Sequence, residues 1–304
     1  TQGEQVSILW NLLISYYNIK INFAHKTFKW GNEAKGNAAV HVVIIGFANF
    51  DASPKLLYEY EDVKGDPHEI KVNKINPYLV DSDFIIITKR SNPVSYDIPP
   101  INYGSEPREG GGLILSDQEK DKIVKENPGI EILINRFVSA DDYINNIKRW
   151  CFWLVDVKPE EIRKYKVLTE RIEFVKKFRL NSLQKQALAT AETPALFTSI
   201  RQPKTDYLLI PIVSSENRKY IPIGYVTPDV IASNACFTFS NASYYHFGVL
   251  TSLMHMIWVN YICGRLESRY RYSNTIVYNN FPWPESPSEK KIKQVEDKAR
   301  GILD

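Results

Sequence analysis

The feature that most constrains this sequence is a dense apolar run near its start, Val40-His41-Val42-Val43-Ile44-Ile45-Gly46-Phe47. A dense series of β-branched residues is typical of a strand buried on both faces of a sheet. A helix is predicted over residues 6–17 and another strand over residues 19–30, with the polar segment 31–37 joining the two strands. Because a segment of about 50 residues is too small to bury such a strand alone, we expect an α/β sheet whose other strands belong to a longer polypeptide. The missing initiator Met supports that expectation.

The sequence as a whole predicts the fold class α+β, in four segments. Residues 1–50 form the end of the α/β sheet, and residues 51–84 form an irregular connector. Residues 85–240 form a mixed α+β domain, and residues 241–304 form a helical C-terminal part. The connector is predicted to end in a short strand over residues 84–87.

Local signals predict the main elements within the last two segments. Ser116 is a predicted cap for a helix over residues 117–126. Pro159 is a good first helical residue, and an apolar stripe with helical spacing follows it: Ile162, Tyr165, Leu168, Ile172 and Val175. The other predicted elements are strands between residues 207 and 240, an apolar helix over 246–266, a loop over 267–287 and a charged helix over 288–302.

The formal charge of +3 hides an uneven distribution. Residues 1–144 carry 15 Lys and Arg against 20 Asp and Glu, whereas residues 145–220 carry 15 against 8. A basic middle segment suits a polyanion-binding face, because Lys and Arg that displace counterions give sequence-independent affinity for nucleic acid. On charge alone, a solvated basic helix surface is an equally good interpretation.

Signals for a self-contained active site are lacking. Cys151, Cys236 and Cys263 show no zinc or disulfide spacing, which favours a reducing, cytoplasmic setting. The five His form no metal motif, and the triplet Gly110-Gly111-Gly112 is not followed by the Lys-Ser/Thr of a phosphate loop. No apolar run approaches the about 20 residues that cross a bilayer, which argues against a membrane protein.

Several longer stretches of sequence have an unusual composition and follow one another in a characteristic order. They include Ile21-Asn22-Phe23-Ala24-His25-Lys26-Thr27-Phe28-Lys29-Trp30, Glu267-Ser268-Arg269-Tyr270-Arg271 and Tyr278-Asn279-Asn280-Phe281-Pro282-Trp283-Pro284. Together they resemble the C-terminal half of MmeI-like DNA adenine-N6 methyltransferases, the single-chain Type IIL restriction–modification proteins and their methylase-only relatives. The resemblance extends over essentially the whole chain.

The resemblance implies different functions for different parts of the chain. Residues 1–50 resemble the last strands of a class I methyltransferase domain that uses S-adenosylmethionine, and residues 85–240 resemble a target recognition domain. The family's Gly-rich cofactor segment and its Asn-Pro-Pro-Phe/Tyr tetrad are not found in this chain. We therefore expect S-adenosylmethionine to bind the intact protein, with its N-terminal methyltransferase half, and expect no cofactor on this chain alone.

In the resembled family, a Glu-x-Arg pair reads one base pair, and it matches Glu267-Ser268-Arg269. Glu accepts from cytosine N4–H₂ and Arg donates to guanine O6 and N7, so this pair should prefer C·G. A second base-reading cluster matches Ile212, Asn234, Ala235 and Arg271. From the charge pattern alone, Glu267 and Arg269 are an ordinary surface ion pair.

Two further sets of residues are candidates for DNA contact. The predicted phosphate contacts, which position without specifying sequence, are Lys148, Arg149, Arg201, Lys204, Arg218 and Lys219. Phe28 and Trp30 follow a strand near the expected target pocket, so one of them is a candidate to stack on a flipped adenine. Simple packing is the alternative for both rings, and Tyr278 to Pro284 are predicted to form a packed corner.

The sequence thus predicts a module that recognises specific double-stranded DNA for an adenine-N6 methyltransferase of a restriction–modification or phage-defence system. The alternative is a non-specific nucleic-acid-binding or protein-interaction scaffold without base readout. A self-contained enzyme is disfavoured by the missing cofactor motif. Neither the oligomeric state nor the presence of a nuclease in the parent follows from these residues.

Overall fold

A computed structural model describes residues 2–30, 40–62 and 64–303. The chain divides into two compact units, each assembled from three separate stretches of sequence. Unit 1 consists of Thr1–Ile98, Ser215–Arg218 and Leu253–Glu285, and unit 2 consists of Pro99–Ser214, Lys219–Ser252 and Ser286–Asp304. Small sheets and helices alternate in both units, which confirms the predicted α+β class.

The secondary structure of the described residues is mostly short elements. The α-helices are α1 (Glu4–Tyr17), α2 (Asp117–Glu126), α3 (Ala140–Asn145), α4 (Pro159–Arg163), α5 (Lys166–Leu180), α6 (Lys185–Ala189), α7 (Tyr244–Leu250), α8 (Leu253–Ile262) and α9 (Glu289–Leu303). The strands are β1 (Lys20–Trp30), β2 (Val40–Ala48), β3 (Lys55–Glu59), β4 (His68–Val72), β5 (Asn102–Tyr103), β6 (Ile114–Ser116), β7 (Ile134–Val138), β8 (Arg149–Phe152), β9 (Tyr207–Pro211), β10 (Val213–Ser214), β11 (Gly224–Val226), β12 (Val230–Ala232), β13 (Cys236–Ser240), β14 (Gly264–Leu266) and β15 (Arg269–Arg271). A 3-10 helix spans Ile130–Leu133, and a π-helix spans Asn274–Tyr278.

Unit 1 is built on a four-stranded sheet in the order β2-β1-β3-β4. β1 pairs antiparallel with β2 and parallel with β3, and β3 pairs antiparallel with β4. The predicted helix, strand and strand at the start of the chain are confirmed as α1, β1 and β2. Trp10 of α1 packs in one core with Ile21 of β1 and Leu57 of β3.

The prediction that the run from Val40 to Phe47 is buried on both faces is wrong. β2 is an edge strand of this sheet, and Ile44 and Phe47 are 39% and 51% exposed. The strand has a hydrogen-bonded neighbour on one side, so its apolar density does not require a central position. The predicted joining segment 31–37 lies outside the described residues.

The prediction of an irregular connector over residues 51–84 is also wrong. β3 and β4 lie within it and complete the sheet of unit 1, because β3 pairs with the distant β1. The short strand expected over residues 84–87 does not form. The main-chain N–H of Ile87 donates instead to the hydroxyl of Tyr78, at 2.9 Å. The four domain boundaries themselves stay a prediction.

Unit 2 contains two four-stranded sheets, β11-β9-β13-β5 and β12-β7-β8-β6. Ser116 caps α2 as predicted, in a capping box with Glu119. The helix expected from Pro159 begins there but breaks into α4 and α5, because Tyr165 takes an extended conformation before α5. The apolar stripe is confirmed, since Leu168 and Val175 are fully buried in the core.

The apolar helix predicted over residues 246–266 is wrong as a single element. α7 ends at Leu250, where the Thr251 hydroxyl donates to the carbonyl of Phe247 at 2.8 Å, and α8 begins at Leu253. The hairpin β14–β15 follows, where the end of the helix and a loop were expected. The final helix is confirmed as α9. None of the described helices is long and apolar enough to cross a membrane.

Candidate functional site

The structure brings four predicted base-reading residues together on one hairpin of unit 1: Glu267, Ser268, Arg269 and Arg271. Leu266 pairs with Arg269, so Glu267 and Ser268 form a two-residue turn between β14 and β15. Glu267 has a positive φ of 60°, whereas Ser268 does not have a positive φ. This φ pattern is that of a type II′ turn, whose first central position usually holds glycine.

The tip of the hairpin carries an exposed pair of opposite charges. Arg269 Nη2 donates to Glu267 Oε2 at 3.0 Å, and the two side chains are 45% and 75% exposed. Exposed pairs of this kind contribute only about 0–1 kcal/mol to stability. The surface ion pair expected from the charge pattern is therefore present, and both groups keep further hydrogen-bonding capacity for a ligand.

Beneath the tip, Tyr270 anchors the hairpin to α8. Its ring is buried, and its hydroxyl donates to Asn260 Oδ1. The Arg265 guanidinium carbon lies 3.9 Å from the centre of the Tyr270 ring, and Arg265 Nε donates to Gln2 Oε1 at 3.0 Å. The sequence does not predict this role for Arg265, because its neighbouring basic residues look like those of an ordinary exposed segment.

The turn residue Ser268 has a partner distant in sequence. Its hydroxyl donates to Glu216 Oε1 at 2.6 Å. This bond is the main reason that the pKa of the Glu216 carboxyl is lowered. Glu216 belongs to the short stretch Ser215–Arg218 of unit 1, and no sequence signal singled it out.

The second predicted cluster forms in unit 2. The main-chain N–H of Ile212 donates to the carbonyl of Ala235 at 3.0 Å, which brings these two residues together. Asn234 is exposed, and its Nδ2 donates to Glu106 Oε1 at 3.3 Å. Arg271 belongs to unit 1, so its association with this cluster stays a prediction.

The predicted phosphate contacts differ in their surroundings. Five of them are exposed: Lys148, Arg201, Lys204, Arg218 and Lys219. Arg149 pairs at 3.2 Å with the fully buried carboxylate of Asp142, and Arg201 Nη1 donates to the carbonyl of Gly104 at 3.3 Å. Both of these arginines therefore already hold parts of unit 2 together.

Arg179, in the basic middle segment, is completely buried. Its guanidinium donates to five main-chain carbonyls, those of Pro107, Arg108, Thr190, Thr193 and Leu196. Burial lowers the pKa of Arg179, while the nearby Glu109 carboxylate raises it. This cation is structural, and the local charge count gave no indication of that.

The two aromatic candidates lie on β1. The Phe28 ring stacks on that of Tyr60, with 5.1 Å between ring centres, while Trp30 is 50% exposed. His25 stacks on Tyr58 at 4.2 Å, and its Nδ1 lies 2.8 Å from the Tyr60 hydroxyl. Burial lowers the pKa of His25. Tyr58 and Tyr60 were missed because their segment was predicted to be a connector.

Other polar groups are structural. His255 is fully buried with its Nε2 3.0 Å from the Tyr272 hydroxyl, whereas His41 is only half-buried. The three cysteines are free and buried, and burial raises the pKa of Cys236 and Cys263 to about 12. In the described part of the chain, no group of three or more His, Cys, Asp or Glu could hold a metal ion. Tyr278, Phe281 and Trp283 are buried, which confirms the packed corner.

Gly46, Gly110 and Gly111, which lie in the described part of the chain, have surroundings that do not suit a cofactor cradle. Gly110 and Gly111 have positive φ, but the adjacent Glu109 carboxylate accepts the N–H of Leu113 at 2.5 Å. A carboxylate of the chain itself thus occupies the site that an anion would need. Gly46 lies within β2, where a Cβ would come 1.9 Å from the Phe23 ring.

The family of the chain is defined by two matches. Residues 81–285 match the family described as "MmeI, target recognition domain", and residues 1–59 match "MmeI, DNA-methyltransferase domain". The chain belongs to the MmeI target recognition domain family, and it includes a portion of the methyltransferase domain. The resemblance noted in the sequence is confirmed.

Two relatives cover this chain almost completely. "DNA methyltransferase A" of Bacillus subtilis (strain 168) is 40% identical over 305 residues, which are 100% of this chain and 34% of that protein. The solved structure of the Type IIL restriction-modification enzyme MmeI in complex with DNA is 49% identical, with a TM-score of 0.93. The match covers 99% of this chain and 40% of the MmeI chain, so the chain spans two-fifths or less of either relative.

Proposed function

We propose that this chain is the module that recognises a specific double-stranded DNA sequence for a DNA adenine-N6 methyltransferase. The observation that carries the proposal is the exposed pair Glu267 and Arg269 at the tip of a hairpin in a member of the MmeI target recognition domain family. The related MmeI structure holds DNA, which supports duplex DNA as the partner of this chain.

Glu267 and Arg269 are proposed to read one C·G pair. Arg269 Nη2 and Glu267 Oε2 form their mutual bond, and Oε1 is a second acceptor that suits cytosine N4–H₂. The guanidinium has five N–H donors, enough to bind guanine O6 and N7 while it keeps its bond to the carboxylate. The mutual bond holds acceptor and donor side by side, as a base pair presents its own donor and acceptors.

A second reading position is proposed at Ile212, Asn234 and Ala235, with Arg271 as an added donor. Asn234 is exposed, and its Nδ2 bond to Glu106 orients the amide. An amide oriented in this way offers its oxygen as an acceptor to the amino group of a base. Ser268 is the remaining residue of the proposed base-reading set.

The six basic residues are proposed to contact the phosphate backbone of DNA, and their surroundings favour some of them over others. Lys148, Lys204, Arg218 and Lys219 are exposed, as a phosphate contact requires. Arg149 and Arg201 would have to share their existing bonds with a phosphate. For the target adenine, the 50% exposed Trp30 suits stacking better than Phe28, which already stacks on Tyr60.

In the intact protein, S-adenosylmethionine would supply the methyl group, bound by the N-terminal methyltransferase half that the relatives' greater length allows. We place that protein in a cytoplasmic restriction–modification or phage-defence system. The present residues supply duplex binding, choice of base pairs and one side of the target pocket.

The test is selection of bound duplexes from a random pool with the wild-type chain and the Glu267→Lys/Arg269→Asp double variant. Each mismatch at a directly read pair should cost about 1–3 kcal/mol, which is enough to enrich a motif. We expect the wild type to enrich a motif with C·G at one position and the double variant to turn that position to G·C. Salt-sensitive binding without any enriched motif would favour the scaffold alternative.

A further inference from the structure

The turn at the tip of the hairpin holds a conformation that its sequence does not favour. Glu267 occupies the first central position with φ 60°, where glycine is usual. A side chain in this region of backbone space is strained, and such strain persists only where the surrounding structure fixes it. The contacts of the second turn residue, Ser268, show what fixes it here.

Ser268 is held from two sides. Its hydroxyl donates to Glu216 Oε1 at 2.6 Å, and its carbonyl accepts from Arg265 Nη1 at 3.3 Å. Arg265 is itself fixed by Gln2 and by the face of Tyr270. Both bonds involve an ionised group and are therefore stronger than bonds between neutral groups. The bond to Glu216 is the shorter of the two, at 2.6 Å against 3.3 Å.

Glu216 suits this role better than direct contact with a base. One of its oxygens is engaged by Ser268, and the residue is half-buried, whereas the Glu267 side chain is 75% exposed. The Ser268 bond lowers the pKa of Glu216, with smaller contributions from His41 and Arg265, so its carboxylate is ionised at neutral pH. The Ser268 hydroxyl is likewise engaged, so Ser268 contributes to base readout by anchoring the turn.

We propose that Glu216 is a positioning residue for base readout. By accepting from Ser268 it holds the strained turn, and the turn in turn presents Glu267 and Arg269 side by side to a C·G pair. The inference rests on the proposed function, since it explains how the two charges keep their geometry. It assigns a specificity role to a residue 51 positions before Glu267 in the sequence.

The test compares affinities for two duplexes that carry the selected motif and differ only in C·G or G·C at the pair assigned to Glu267 and Arg269. The variants are Glu216→Ala, Glu216→Gln, Ser268→Ala and the Glu216→Ala/Ser268→Ala double variant. Glu61→Ala is the matched control, because the Glu61 side chain is 90% exposed and lies on the β3–β4 connection, where its ion-pair partner is His68.

Glu216→Ala and Ser268→Ala should each reduce the ratio of the two affinities by about tenfold. The double variant should lose no more than either single variant, since all three lack the same bond. Glu216→Gln should keep the ratio within about twofold, because an amide oxygen still accepts from the hydroxyl. The salt dependence of binding should not change in any variant, because phosphate contacts are untouched.

Several outcomes overturn the inference. An unchanged ratio in Glu216→Ala, an equal loss for both duplexes, or a loss in Glu216→Gln as large as in Glu216→Ala would each contradict positioning through this bond. Thermal melting identifies a variant that fails to fold, in which case Ser268→Ala decides. If the wild type binds neither duplex, or binds both equally well, the proposed function fails, and the inference fails with it. If the Glu267→Lys/Arg269→Asp variant inverts the preference while Glu216→Ala leaves it intact, only the inference fails.

Discussion

Arg269 of unit 1 and Arg179 of unit 2 are the same residue type in opposite surroundings. Arg269 is exposed on a hairpin and shares one bond with one carboxylate, whereas Arg179 is fully buried and donates to five carbonyls. Because an exposed charge keeps most of its hydration, it costs the fold little and stays available to a ligand. A buried cation must have its donors satisfied within the protein, so it serves the fold alone.

The largest effect that separates the two regions is expected at the buried cation. Arg179→Lys should lower the free energy of unfolding by about 3 kcal/mol or more, because an ammonium cannot satisfy five carbonyls arranged around a planar guanidinium. Chemical denaturation measures this, with Lys177→Ala on the exposed side of the same helix as control. Equal stability of the two variants would show that the buried guanidinium contributes no more to the fold than an exposed lysine does.

The next effect concerns recognition. The Glu267→Lys/Arg269→Asp double variant should change the free energy of unfolding by less than about 0.5 kcal/mol, because the pair is exposed. Its preference for C·G over G·C should nevertheless invert. The binding free energies of the two duplexes should differ by about 1–3 kcal/mol in each protein, with opposite sign. A loss of stability as large as that of Arg179→Lys would show that the hairpin charges also serve the fold.

A smaller effect is expected from the strained turn. Glu267→Gly should raise the free energy of unfolding by about 1 kcal/mol, because glycine adopts a positive φ without strain, and should remove the acceptor for cytosine. Ser268→Gly is the control: its φ is not positive and it loses the bond to Glu216, so its stability should fall. A destabilised Glu267→Gly would mean that the turn is not strained at this residue.

The smallest effect concerns a titrating group in unit 2. His246 Nδ1 accepts the N–H of Ser243 at 3.0 Å, and burial lowers the pKa of His246 while Glu296 raises it. In the unfolded chain His246 binds a proton below its ordinary pKa of 6.5, whereas in the folded chain it binds that proton only at a lower pH. The contribution of His246 to the free energy of unfolding is therefore complete above pH 6.5 and decreases as the pH falls below it. Melting curves between pH 8 and 5 should show a decrease below about 1 kcal/mol from this group. His246→Gln keeps a capping acceptor and should flatten that part of the profile.

Local sequence signals predicted the elements whose stability comes from near neighbours. The capping box of Ser116, the start of α4 at Pro159 and the apolar stripe of Leu168 and Val175 all depend on residues within a few positions. The strand β3 could not be predicted in this way, because its pairing partner β1 lies about 30 residues earlier in the chain.

The candidate site shows the same division. Glu267 and Arg269 are predicted from the sequence as base-reading residues because their residue types suit hydrogen bonds to a base pair and their positions match a known family. Glu216 and Arg265 were not found, since they act through contacts with a turn that forms only in the folded hairpin. The same holds for Arg149, a predicted phosphate contact. Its ion pair with the buried carboxylate of Asp142 could not be predicted from the local sequence.

Residue type and order were enough to predict the family and the α+β class, and to propose Glu267 and Arg269 as readers of a C·G pair. Which charges are exposed became clear from the three-dimensional structure alone. It buried Arg179 among carbonyls, left Glu267 and Arg269 exposed at the hairpin tip and brought Glu216 to Ser268. Burial and long-range hydrogen bonds depend on the whole chain, so no local pattern of charge can specify them.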